Sequence, residues 1–137
     1  MRKVIGVVIG LVVAVVSIDT AWRAAATWFP PAIPADADDA GTLARFVMAM
    51  PVAGQGIVAI GWLLAGLLGA YAALRVAQWR AAGWGVAACV VLTALWNLTQ
   101  LVQPLWLEIL SVAAPLAGAW LAERLYHRAR PGDPLFN

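Results

Sequence analysis

Reactive side chains are scarce in this chain. Its 137 residues include one cysteine, Cys89, and one histidine, His127, and only 12% are charged, against about 25% in ordinary soluble domains. One thiol cannot close an internal disulfide, and one Cys with one His cannot supply the four ligands of a usual structural zinc site. Ser17 and Ser111 have no histidine at their depth. There is no Gly-rich phosphate loop and no His/Asp/Glu spacing of a metal site. These absences remove the familiar hydrolytic, phosphotransfer and zinc templates, so a non-enzymatic protein without metal or cofactor is expected. The net charge of +2 and pI near 9.2 come from basic residues flanking apolar runs, a pattern that does not indicate nucleic acid as a partner.

Apolar residues are abundant instead: 64% of the chain, with a mean hydropathy of +0.84. They fall in four runs, Val4–Trp28, Val52–Ala77, Gly83–Val102 and Leu107–Tyr126. A helix rises about 1.5 Å per residue and the hydrocarbon core is about 30 Å thick, so about 20 apolar residues cross it. Each run reaches that length. The expected fold is an all-α membrane protein, an antiparallel four-transmembrane-helix bundle with a short outer amphipathic helix, forming a single integral membrane domain over residues 1–137. Cys89, among Ala87, Ala88, Val90 and Val91, reads as a small buried hydrophobe. Met1-Arg2-Lys3, an apolar stretch and Ala24-Ala25-Ala26 together look like a secretory signal. The length of the run and Trp22-Arg23 just before the alanines favour an uncleaved span.

Basic residues set the expected orientation. With both termini inside, the inner side carries Arg2, Lys3, Arg75, Arg80, Arg124, Arg128 and Arg130, leaving Arg23 and Arg45 outside. That bias places both termini in the cytoplasm, and a bacterial inner (cytoplasmic) membrane is the expected location. Pro30-Pro31 ends the first helix. The loop through Asp36, Asp38 and Asp39 then reads as a solvated outer connection. Leu43–Met50 forms an amphipathic segment with Leu43, Phe46, Val47 and Met50 on one face and Arg45 on the other. Pro51 opens the second span. Gln78–Ala82 and Gln103–Trp106 are tight turns that force adjacent, opposed helices. Pro115 predicts a kink in the fourth span, with Ser111 or a neighbouring helix taking up the freed carbonyl.

Small residues recur at every fourth position: Gly6, Gly10 and Ala14; Gly61, Ala65, Gly69 and Ala73; Ala114, Gly118 and Ala122. In lipid there is no hydrophobic drive between helices, so such faces bring backbones together. Gly61 and Gly69 form the strongest pair, serving either packing within the bundle or a homodimer. Trp28 and Trp106 mark the outer boundary and Trp79 and Trp84 the inner one. Trp22, Trp62, Trp96 and Trp120 lie deeper.

Polar residues concentrate at one depth. Asp19 is costly in a span, and Arg23 four residues later can pair with it on the same helix face. Thr93, Asn97 and Gln100 share a face of the third span with Trp96 and Gln103 beside it. Gln55 enters from the second span, and Glu108 opens the fourth. This outer-half cluster defines the candidate site for an amphipathic ligand or a membrane partner: Asp19, Arg23, Gln55, Trp96, Asn97 and Gln100. Polar packing that merely joins helices is the competing reading. Two functional alternatives stand beside it, a small proton-coupled transporter in which Asp19 titrates and an accessory or assembly subunit docking through the Gly61/Gly69 seam.

An acid in the first of four spans invites comparison with small multidrug-resistance transporters. Those are usually shorter, carry a glutamate deep in that span and work as antiparallel dimers with weak charge bias. Asp19, Pro30-Pro31 with Asp36 to Asp39, Met50-Pro51, Gly61-Trp62 and Pro104-Leu105-Trp106 together resemble a group of small four-span bacterial membrane proteins without an assigned activity. The resemblance covers nearly the whole chain and implies a fold, not an activity. In that group a histidine often precedes the last proline. Gln103 stands there in this chain, so the resemblance carries over no metal or proton role for that position.

Overall fold

The structure, a computed structural model, describes residues 1–30, 45 and 47–128, with side chains as far as Tyr126. The acidic loop from Pro31 to Asp39, Leu43, Ala44 and Phe46 of the amphipathic segment, and the tail from Arg130 lie outside the described residues. Arg45 and residues 47–49 are helical.

Four long helices follow one another: α1 (Arg2–Trp28), α2 (Val52–Ala77), α3 (Arg80–Gln100) and α4 (Leu105–Arg128). No strand occurs among the described residues, and each of the four helices is long and apolar enough to cross a membrane. α2 matches its expected span, whereas α1, α3 and α4 begin two or three residues earlier. The helix ends follow from local chemistry. Phe29 N–H closes on Ala25 O at 2.9 Å before Pro30 blocks further turns. Gln78 ends α2 in the left-handed region at φ 51°, its N–H on Leu74 O at 2.9 Å. Pro104 O accepts from Leu107 and Glu108 at 2.9 and 3.1 Å and so starts α4. α4 then continues through Pro115 as one helix.

Glycine contacts fix how the helices meet. Gly6 lies against Ala77 and Gly61 against Ala21, so numbers fall along α2 as they rise along α1. Between them Gly10 and Gly69 meet backbone to backbone: a methyl on Gly10 would stand 2.6 Å from Gly69 O, and one on Gly69 2.8 Å from Gly10 O. α4 docks on a different face of α2, where Gly66 sits on the Pro115 backbone and Gly118 on Leu63 and Leu67. α2 and α3 each pack against all three other helices, while α1 and α4 make little contact with each other. The cross-section is therefore a rhombus with α2 and α3 on its short diagonal. Its interior is built from small side chains, Ala14, Ala65, Ala73, Ala82, Ala94 and Ala122, around the buried Trp62 and Leu74. Large apolar side chains such as Val12, Val15, Ile60, Leu92 and Ile109 point outward.

Candidate functional site

The second half of α1 supplies the charged members of the cluster. Arg23 Nε donates to Asp19 Oδ2 at 2.7 Å, one helical turn apart, with side chains 79% and 57% exposed respectively. The pair therefore lies on the outside of the bundle. Thr27, one turn further, returns its hydroxyl to Arg23 O at 2.7 Å.

α3 places its polar residues on the outside too. Trp96 is 68% exposed, Thr93, Thr99 and Gln100 are exposed, and Asn97 is half-buried. Thr93 and Thr99 bond their own helix at Cys89 O and Trp96 O, and Gln100 Nε2 donates to Thr99 Oγ1 at 3.3 Å. α1 and α3 come level through Val86, whose Cγ2 would stand 2.8 Å from a methyl on Gly10. α3 meets α2 in the same falling order as α1 does, with Gly83 on Leu74 and Val86 on Gly69. Asp19 is nine residues beyond Gly10 and Trp96 ten beyond Val86, so at about 1.5 Å per residue they share a depth.

Gln55 takes a different position from its expected neighbours. It is 4% exposed, and its Nε2 donates to Val47 O at 3.1 Å and Met50 O at 3.2 Å, tying the segment before Pro51 to the first turn of α2. Its amide is thus spent on backbone carbonyls, and no hydrogen bond among the described residues links it to Asp19, Arg23, Trp96, Asn97 or Gln100. Gln103 is buried in the α3–α4 turn, and its Oε1 has no hydrogen-bond partner among the described residues. Glu108 is half-buried, and Ser111 Oγ donates to its carbonyl at 2.8 Å. Gly61 and Gly69 face α1, which fills that side of α2. Cys89 is exposed on α3 and so departs from the expected buried hydrophobe.

Sequence reasoning missed a second polar cluster, at the Arg2 end. Glu123, its side chain 15% exposed, receives Arg80 Nε at 2.6 Å on Oε1 and Trp84 Nε1 at 3.0 Å on Oε2, joining α3 to α4. Arg2 Nε donates to Val76 O at 3.0 Å, and Lys3 lies over Trp79 at 5.0 Å. Arg75 lies over Tyr71 at 5.8 Å and Arg124 over Trp120 at 4.0 Å. The pairing signal was available: Arg80 and Glu123 fall at the same depth in the two-hairpin arrangement that the sequence predicts.

Two hollows lie along the α2–α4 seam, and both are apolar. One, about 340 Å³, is bounded by Ala59, Ile60, Leu63, Leu110, Ala113, Ala114 and Ala117. The other, about 400 Å³, is bounded by Leu67, Leu68, Tyr71 and Leu125. Neither includes a member of the Asp19 cluster. Among the described residues no group of three His, Cys, Asp or Glu side chains is placed to hold a metal ion.

Fold and surface together define a class: a helical protein with four helices able to cross a bilayer and polar groups at one depth on its exterior. No protein family, curated protein or solved structure matches the chain.

Proposed function

We propose that this is a multi-pass membrane protein, an antiparallel four-helix bundle of a bacterial inner membrane with both termini in the cytoplasm. It acts without catalysis, by engaging another membrane protein through the outer halves of α1 and α3. One observation carries the reading: Asp19, Arg23, Trp96 and Gln100 are exposed on the bundle exterior at one depth. Lipid tails offer such groups no hydrogen bonds, and ionisable residues at membrane depth ordinarily face protein or a water-filled cavity. A partner helix with its own polar residues meets that need, and Trp96 supplies a large apolar anchor beside them.

The test is photocrosslinking in native membranes from Thr20 on α1 and Thr99 on α3, with Val8 on the apolar stretch of α1 as reference. A discrete protein adduct from both polar positions, absent from Val8 and diminished by Asp19→Asn, is expected. Equal labelling of lipid from all three positions would overturn the assignment, and a crosslinked small amphipathic molecule would replace the protein partner with a ligand. Flux of a solute that is abolished by Asp19→Asn would favour a proton-coupled transporter instead. A fluorescent-protein fusion at the C-terminus checks the orientation and should fluoresce.

A further inference from the structure

We propose that the end of the α2–α4 seam nearest Arg75 binds one anionic phospholipid, its phosphate between Arg75 and Arg124 and an acyl chain in the hollow of Leu67, Leu68, Tyr71 and Leu125. The site is far from the Asp19 face and rests only on the membrane placement proposed above.

The cationic part is pre-positioned. Arg75 is stacked over Tyr71, which itself bounds the hollow. Arg124 is stacked over Trp120 and precedes Leu125, which bounds it from the other helix. Asp19 and Glu123 pair with Arg23 and Arg80, and among the described residues no carboxylate pairs with Arg75 or Arg124. Glu123, the acid nearest in sequence to Arg124, is engaged by Arg80 and Trp84. An aromatic face orients a guanidinium while leaving its edge N–H groups to bind a phosphate. Arg2 and Lys3, held at the same end of α2, add positive potential.

The apolar part fits the tail. Arg75 lies four residues beyond Tyr71, roughly 6 Å along the helix, so a head group at the arginines puts its chains directly over the hollow. Leu68 and Leu125 are 44% and 49% exposed, leaving apolar surface for an acyl chain to cover. The other hollow on the seam has no charged residue in its wall. It offers no place for a phosphate. A soluble phosphate would use only half of the site, because Leu67, Leu68 and Leu125 have nothing to offer it.

The test is native mass spectrometry of the full chain in non-ionic detergent, titrated with dioleoyl phosphatidylglycerol or dioleoyl phosphatidylethanolamine. The anionic lipid should bind with one-to-one saturation and about tenfold or more tighter than the zwitterionic one. Arg75→Gln with Arg124→Gln should abolish that preference, since a basic residue near an anionic head group typically contributes about fivefold each. Should the double variant fail to fold, Arg75→Lys and Arg124→Lys singly keep the charge but lose the planar fork, and each should weaken the preference. Leu68→Trp should weaken binding with both arginines intact, and glycerol phosphate should not compete. Equal binding of the two lipids, full retention by a folded double variant, or competition by glycerol phosphate would overturn the site. Failure to bind any lipid or to partition into detergent would instead strike at the membrane placement.

Discussion

Arg80 and Glu123, 43 residues apart, hold α3 to α4 through a guanidinium–carboxylate contact whose second carboxylate oxygen is taken by Trp84. The two ends of this bridge differ in their surroundings: Arg80 is 70% exposed and Glu123 15%. Losing the arginine takes a charged partner from a largely buried carboxylate, whereas losing the acid leaves the cation free to hydrate. Arg80→Ala is therefore expected to cost about 1–3 kcal/mol and more than Glu123→Gln. Adding Glu123→Gln to Arg80→Ala should recover part of the loss. Thermal melting of the purified variants in detergent reads the order, and an equal cost for both single variants would refute it.

Gly66 and Gly56 offer a matched pair of glycines on one helix. A methyl at Gly66 would run into the backbone of Pro115, while one at Gly56 meets nothing within 4 Å. Gly66→Ala should separate α2 from α4 and lower the melting temperature sharply. Gly56→Ala should leave it unchanged or raise it, since alanine is favoured over glycine in a helix by about 1 kcal/mol.

Gln55 should behave as a structural tie. Gln55→Leu removes two donations to Val47 and Met50 carbonyls inside the protein, at a cost of about 1–3 kcal/mol. Hydrogen exchange should show faster exchange at residues 47–50 while α3 and α4 stay protected. Loss of partner crosslinking without any change in exchange would return Gln55 to the binding face.

Asp19→Asn separates stability from recognition. The Asp19–Arg23 pair is exposed, lies within α1 and ties no two helices together, so neutralising it leaves the packing between helices intact. The variant should melt within a degree or two of wild type, yet lose the α1 and α3 crosslinks. A large drop in melting temperature would make the pair part of the fold.

The four helices were legible because a run of apolar residues long enough to cross a bilayer is a one-dimensional signal. Pro30, Pro51 and Pro104 likewise marked their ends. The Asp19–Arg23 pair was legible because it is local, one turn on one helix. The faces were harder. Gly61 and Gly69 stood out in the sequence, but Gly66 carries the α4 contact, and no spacing rule says which of two glycine faces meets which helix. Gln55 illustrates the same limit. Its depth was readable, but its rotamer was decided by two carbonyls of the preceding segment. Cys89, an apolar-looking residue in an apolar run, is exposed, because a helix that crosses lipid is apolar on its outer face too and periodicity then carries little information.

Because α2 presents one glycine face to α1 and another to α4, the bundle has an order of completion. The Gly10–Gly69 contact can close as soon as the second helix has left the ribosome, but Gly66 must wait for Pro115 and Gly118. A chain stalled after Gln100 would hold a finished α1–α2 hairpin with the Gly66 face of α2 still bare. That surface is covered only when Pro115 and Gly118 of the last helix dock on it.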